Sequence, residues 1–426
     1  MKIKEIQICG PVNATIRVPG SKSLTSRALI CASLAKGESI IKNSSDSDDT
    51  ALMANGLNQL GVLVRKSGAD LIVEGTGGRL FAPKFPIPVG NAGTTLRFLI
   101  GLVAIARGEV VFEGNVRMGE RPISGLMEAL TSLGVETRSQ GFSARYMVRG
   151  GSFEGGRTKI RGDISSQFVS SLLMIAPYAK SDIHIEVEGD PVSNPYVTMT
   201  LEVMKTFGVE VVQHQSEKFY VKADQRYKPS EMSVEVDASG ASYFCAAAAL
   251  TGGDVFIKNA RSASIQGDMR IFQLLELMGC EVLKEEGGIR IHGTGILKGI
   301  DMDLRDTPDL APTMAVLGLF AEGRTRILNV PQLRDKESDR LQSLTSELQK
   351  LGANVTLMPN GLEFKPVPLK GAQLDTYDDH RLAMSFALIG LRVPGIRIEN
   401  PDCVRKSFPG FWQEFERLRA SSERRA

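Results

Sequence analysis

The chain has 426 residues, more than one ordinary hydrophobic core accommodates, which points to two or three domains. Its 51 Lys plus Arg against 49 Asp plus Glu leave a formal charge of +2, so nothing in the charge calls for nucleic acid or an acidic membrane as a partner. Five scattered cysteines, Cys9, Cys31, Cys245, Cys280 and Cys403, never form a C-x-x-C pair, which argues against a disulfide framework or zinc site and fits a reducing cytoplasm.

In chain order, "MKIKEIQICGPVNATIRV" alternates like strands and lacks the apolar run of a signal peptide. No later stretch is apolar enough for a bilayer span, so a cytoplasmic location is expected. "PGSKSLTSRALI" then opens a helix, with Leu24, Ala28, Ile30 and Leu34 at helical spacing and Ser21 or Ser23 as cap. Lys22 is badly placed for the helix itself, because a helix N-terminus already carries partial positive charge; an anionic ligand is the natural reason for it.

Two markers then recur along the chain. Helices end in a glycine at Gly61, Gly134, Gly208, Gly279 and Gly352, steps of 73, 74, 71 and 73 residues. Strands open at positions 37, 108, 181, 253, 323 and 395, steps of 71, 73, 72, 70 and 72. The period exceeds that of solenoid repeats, so each unit reads as a small α/β subdomain: polar loop, apolar helix, strand, amphipathic helix, strand pair. The third unit gives "SSQFVSSLLMIAPYA", "DIHIEVEG", "VTMTLEVMKTFG", "VEVVQHQ" and "KFYVKA" for these elements. The sixth lacks a strand pair, which "IKEIQI" and "NATIRV" would supply. Two domains of three units each follow: 19–235, and 1–18 with 236–426.

Each unit begins its first helix with a polar loop: "PGSKS", "GNAGTT", "GDISSQ", "VDASGAS", "DTPDLAP" and "DTYDDHR". Helix N-termini attract anions, each by up to about 2 kcal/mol, too little to hold a phosphate against water without paired cations. Cations gather near these loops: Lys22, Arg27, Arg121, Lys336, Arg340, Arg381 and Lys406. Ser23 with Arg27, and Lys336 with Arg340, are spaced i, i+4, as on one helix face. Asp309 at a helix start and Glu337 beside Lys336 are acid or base candidates, with neighbouring cations and burial pulling their pKa in opposite directions. Taken singly, Ser165, Ser166 and Ser193 read as caps or turn residues, Asp309 as an N-cap, and "RDKESDR" as a solvated helix face. "GNAGTT" and "PGSKS" fit no nucleotide-binding pattern, and the four histidines show no metal-ligand spacing. Recurrence at one point of every repeat favours the functional reading.

"PGSKSLTSR", "GNAGTTLR", "RMGERP", "SSQF", "SNPY", "DTPD", "RDKESDR", "DDHRLAM" and "KSFP", in this order, resemble the 5-enolpyruvylshikimate-3-phosphate synthase family over nearly the whole chain. The resemblance implies an α/β fold of two domains, the enolpyruvyl-transferase inside-out α/β barrel with six βαβαββ repeats, three per domain, and an active site in the interdomain cleft. It implies transfer of the enolpyruvyl group of phosphoenolpyruvate to shikimate 3-phosphate on the route to chorismate. Shikimate 3-phosphate would meet Lys22, Ser23, Arg27, Ser165, Ser166, Gln167, Ser193, Asp309 and Lys336; phosphoenolpyruvate would meet Lys22, Gly93, Arg121, Gln167, Arg340, Arg381 and Lys406. Asp309 would be the base for the 5-hydroxyl, and Glu337 or Lys22 the acid for the methylene carbon. No metal or organic cofactor is implied, and a monomer is the family expectation.

Two departures stand out. Where many relatives carry proline after the arginine of "GNAGTTLR", this chain has Phe98, and Thr95 replaces a commoner alanine. Gly93 implies sensitivity to glyphosate, which Phe98 weakens. Three rival readings are set against this one. A UDP-amino-sugar enolpyruvyl transferase would carry, in many members, a reactive cysteine in the loop before "RP", and none lies between Gly114 and Pro122. A non-catalytic anion-binding paralogue would have lost acid or base residues, yet Asp309 and Glu337 are present. An RNA terminal-phosphate cyclase needs a C-terminal nucleotidyl-accepting histidine, for which only His380 is available.

Overall fold

The computed structural model describes residues 2–140, 143–214 and 217–422. They divide into two compact units, Gly20–Val234 and Met1–Pro19 with Glu235–Ala426, crossing one residue away from each boundary read in the sequence.

The unit 20–234 contains helices α1 (Lys22–Leu34), α2 (Asp48–Gln59), α3 (Gly93–Val103), α4 (Val116–Glu120), α5 (Ser124–Ser132), α6 (Ser166–Ile175) and α7 (Asn194–Thr206). Its three sheets have four strands each and share one plan, in which a leading strand lies parallel to the next and an antiparallel hairpin completes the sheet. The second shows it: Ile87–Gly90, Gly108–Gly114, Arg145–Gly150, then Glu136–Ser139. The first takes its leading strand, Glu231–Ser233, from the far end of the unit, where Glu231 registers with Ile40.

The other unit contains α8 (Ala238–Thr251), α9 (Arg270–Leu277), α10 (Ala311–Phe320), α11 (Arg340–Lys350), α12 (His380–Gly390) and α13 (Phe411–Ala420). Here the pairing of the N-terminal strands differs from the expectation. Ile3–Ile6 joins the last repeat, antiparallel to Ile396–Glu399. Asn13–Ile16 instead leads the fourth repeat's sheet, parallel to Asp254–Lys258. Alternation identifies a strand and its buried face but not its partner, so both pieces were legible as strands and only one could be placed.

The first helix of each repeat is buried on nearly every side. Every residue of α8 and of α12 is buried, as is almost all of α3, α6 and α10. Such all-round apolar helices must lie inside, with the sheets covering them, which is the inside-out arrangement; among the described residues no sheet closes on itself. Glycine permits the closest approach: a Cβ on Gly101 of α3 would overlap the Ser171 hydroxyl of α6, which instead donates to the Arg97 carbonyl at 2.7 Å. Packing the inner helices so tightly gathers the polar loops before them.

Candidate active site

In the unit 20–234 the loops before α1, α2, α3 and α6 form one linked network. Ser21 caps α1, accepting from the Leu24 amide, so Lys22 becomes its first residue. The Lys22 Nζ lies 2.7 Å from Asp49 Oδ2 at the start of α2, both side chains largely buried. Thr95 of α3 donates to the Asp49 carbonyl at 3.0 Å. Arg121 Nη1 donates to the Asn91 carbonyl at 2.9 Å and its Oδ1 at 3.1 Å. Gly93 leaves the guanidinium its present place, since a Cβ there would sit 2.6 Å from Arg121 Nη2. Arg97 donates to Gln167 Oε1 and the Pro122 carbonyl, both at 2.8 Å, and Gln167 donates to Thr94 Oγ1 at 3.1 Å.

Arg27 sits deeper, 1 % exposed. It donates to Thr200 Oγ1 at 2.7 Å, the Ser23 carbonyl at 2.9 Å, the Tyr196 carbonyl at 3.0 Å and Ser170 Oγ at 3.3 Å. Its guanidinium lies 5.2 Å from the centre of the Phe98 ring and 6.0 Å from that of Tyr196. Phe98, the residue that departs from the family's proline, is thus a floor beneath Arg27. Burial, against the opposing pull of Tyr196 and Cys31, lowers the Arg27 pKa to about 10, still charged at neutral pH. Ser165 is the cap of α6, accepting from the Gln167 amide at 3.3 Å, and Ser166 is buried behind it. Ser193 stands at the N-terminus of α7 with φ of 59°, a left-handed conformation that a non-glycine residue adopts at a cost, and its side chain makes no cap bond.

In the other unit the acid and base candidates converge on Arg340, itself 1 % exposed. Its Nε donates to Asp379 Oδ2 at 2.8 Å. Nη2 donates to Glu337 Oε2 at 2.7 Å and Asp379 Oδ1 at 3.2 Å, and Nη1 donates to Asp309 Oδ1 at 3.0 Å. The second oxygen of Asp309 accepts from Arg381 Nη2 at 2.7 Å, and Arg381 Nη1 reaches the Tyr243 hydroxyl at 3.4 Å. Asp379 also caps α12 by accepting from the Arg381 amide at 3.0 Å. Burial alone would raise the Asp309 pKa; Arg381, Arg340 and Lys336 more than offset it and hold the carboxyl well below the usual range. Burial would likewise lower Arg340, but Asp379, Glu337 and Asp309 drive it the other way. Asp268 lies close enough to feel Asp309: burial first, then that neighbouring charge, push its carboxyl up to about 7. It accepts from the Ser239 hydroxyl through Oδ2, while Oδ1 is buried without a partner among the described residues.

Three local expectations change. Asp309 is not an N-cap: it lies inside a 3-10 turn, Pro308–Leu310, that runs into α10, with its carboxylate on two arginines. "RDKESDR" is not a solvated helix face, since Glu337 and Arg340 are buried. Nor do Lys336 and Arg340 share a helix, because Asp339 caps α11 by accepting from Gln342 N at 3.0 Å and Arg340 is its first residue. Lys406 ends a 3-10 turn, Pro401–Lys406, packed on α12. Sequence reasoning missed Asp49, Asn91, Arg97, Tyr243, Asp268 and Asp379. Arg97 carried a signal, as the cation one turn after Gly93 in a glycine-rich loop. Asp379 carried one too, as an acid opening α12.

The sequence matches the family described as EPSP synthase (3-phosphoshikimate 1-carboxyvinyltransferase) over residues 6–415. The chain belongs to the EPSP synthase family. Among its relatives is a 3-phosphoshikimate 1-carboxyvinyltransferase of Trichormus variabilis, 41% identical over 412 residues, which are 96% of this chain and 97% of that one. Another, of Syntrophobacter fumaroxidans, is 42% identical over 98% of this chain and 100% of its own length. In fold the chain is similar to an EPSP synthase structure from Acinetobacter baumannii, with a TM-score of 0.79 over 98% of each chain at 23% identity. Among the described residues no helix is long and apolar enough to cross a membrane.

Proposed function

We propose that the protein transfers the enolpyruvyl group of phosphoenolpyruvate to the 5-hydroxyl of shikimate 3-phosphate, giving 5-enolpyruvylshikimate 3-phosphate and phosphate. The observation that carries the reading is Arg340, a guanidinium holding both Asp309 and Glu337 beside Arg381. Asp309 takes the proton of the 5-hydroxyl as its oxygen bonds to the central carbon of phosphoenolpyruvate. Glu337 or Lys22 protonates the methylene carbon, giving a tetrahedral adduct. The new methyl group then returns a proton, the carbon–phosphate oxygen bond breaks, and phosphate leaves.

Lys22, Gly93, Arg121, Gln167, Arg340, Arg381 and Lys406 serve phosphoenolpyruvate in this reading. Lys22, Ser23, Arg27, Ser165, Ser166, Gln167, Ser193, Asp309 and Lys336 serve shikimate 3-phosphate. Arg27, with most of its donors held by protein groups, fixes Ser23 and Tyr196 and leaves its charge to act on the substrate carboxylate. The protein works as a cytoplasmic monomer, and glyphosate competes at the phosphoenolpyruvate subsite beside Gly93.

The test is phosphate release by the purified protein given phosphoenolpyruvate alone, with shikimate 3-phosphate, or with a UDP-amino sugar. Release only with shikimate 3-phosphate is expected. Release with the amino sugar would transfer the assignment to the sister reaction, and no release from folded protein would leave an anion-binding paralogue.

A further inference from the structure

Asp309 occupies a seat built for a carboxylate. One oxygen accepts from Arg340 Nη1 at 3.0 Å and the other from Arg381 Nη2 at 2.7 Å, so a single carboxylate spans two guanidiniums. The remaining nitrogens of Arg340 are committed. Nε and Nη2 are held by Asp379 and Glu337, whose side chains are 0% and 9% exposed. Any anion that approaches Arg340 therefore meets Nη1, the nitrogen that Asp309 holds. Nη1 is thus the nitrogen that a second carboxylate would contest, and phosphoenolpyruvate carries such a carboxylate.

We infer that Asp309 is an internal competitor of phosphoenolpyruvate, masked on Arg340 and Arg381 in the free protein and unmasked as a base when the substrate anion takes over those guanidiniums. The inference rests on the proposed reaction, in which these arginines bind phosphoenolpyruvate. It assigns Arg340 a second task as a positioning residue: the same guanidinium that receives the substrate fixes both proton-transfer carboxylates. A carboxylate clamped by two guanidiniums is a poor base, and moving the clamp to the substrate restores its basicity. Proton abstraction is then confined to the phosphoenolpyruvate complex. No extra reactant is needed, since the exchange replaces one carboxylate by another on the same donors.

The masking makes an unusual prediction for binding. In Asp309→Asn the competitor loses its charge and its hold on both arginines, so phosphoenolpyruvate, titrated alone by calorimetry, should bind at least about ten-fold tighter than to the wild type. Asp268→Asn is the control, because that carboxylate feels Asp309 and Arg381 electrostatically but is bonded to Ser239 and to neither guanidinium. Unchanged or weaker binding by Asp309→Asn overturns the inference, as does equal tightening by both variants, which would be a general charge effect. Should Asp309→Asn fail to fold, carbon-13 labelling of the aspartate carboxyls in the wild type answers the same question. Adding phosphoenolpyruvate should shift one aspartate carboxylate signal and bring its titration into the measurable pH range, and no shifted signal overturns masking. The proposed reaction is tested separately, by shikimate 3-phosphate-dependent phosphate release, so a failure of masking and a failure of that reaction are distinguishable.

Discussion

The buried arginines of the candidate site have different described partners in the two units. In residues 20–234, Arg27, Arg97 and Arg121 donate to hydroxyls, carbonyls and side-chain amides. In the other unit Arg340 donates to three carboxylates and Arg381 to one of the same three. Neutral partners orient a guanidinium and leave its charge for a ligand. Carboxylate partners cancel much of that charge, and a ligand must displace them to reach it. The first arrangement suits tight binding of anions, and the second suits proton transfer, because the groups that cancel the charge are themselves acids and bases. Lys22 with Asp49 brings one pair of the second kind into the first unit, at the one cation there proposed to take part in proton transfer.

Breaking this contrast should have its largest effect at Arg340. Arg340→Met strands Asp309, Glu337 and Asp379 without their shared partner, and about 3 to 5 kcal/mol of stability should be lost in chemical denaturation at pH 7. Arg97→Met, whose described partners are neutral, should lose only about 1 to 3 kcal/mol. Equal losses would erase the distinction between the units.

A binding measurement sharpens the other side. Arg121→Ala should weaken phosphoenolpyruvate binding by about 2 to 3 kcal/mol in calorimetry, the loss of one charge-assisted pair with the substrate. Unaltered affinity would remove Arg121 from the site.

The pH dependence of stability isolates Asp268. Its folded pKa of about 7 lies above the unfolded carboxylate value, so between about pH 4 and pH 7 the unfolded chain binds fewer protons than the native one. Stability contributed by the protonated carboxyl is therefore full at low pH and lost as pH rises through 7. Asp268→Asn abolishes that loss, and its stability relative to wild type should improve by roughly 2 to 3 kcal/mol between pH 5 and pH 8. Thermal or denaturant unfolding at the two pH values gives the comparison, and a constant difference would mean that Asp268 is ionised throughout.

The smallest effect is expected at Gly93. In Gly93→Ala the new Cβ meets the movable end of Arg121 rather than backbone, so the fold should tolerate it within about 1 kcal/mol. Phosphoenolpyruvate binding should fall about ten-fold as the guanidinium is displaced, and the response to glyphosate should change with it.

Much of this was legible in the sequence because it is local. The repeat period, a serine cap at Ser21 or Ser23, the cap at Ser165, and the recurrent cations of the polar loops each depend on residues within a few positions of one another. What the sequence withheld was partnership across long separations. Nothing near Lys22 names Asp49 as its partner 27 residues away, and nothing near Arg27 names Thr200. Asn13–Ile16 alternates as well as Ile3–Ile6 does, yet the two strands belong to different sheets, since a period of two carries no address. "RDKESDR" misled because its spacing fits a helix face, while Asp339 starts the helix only at Arg340. Asp268 left no trace in the sequence reading, because its character comes from burial beside Asp309 rather than from its neighbours in the chain.

The most direct measurement of the central claim is shikimate 3-phosphate-dependent phosphate release by the wild type and by Asp309→Asn at saturating substrates. Release by the wild type, with turnover lower by about 10²- to 10⁴-fold in the variant, is the predicted result. Near-normal turnover by Asp309→Asn would contradict it, showing that the carboxylate spanning Arg340 and Arg381 is not the base.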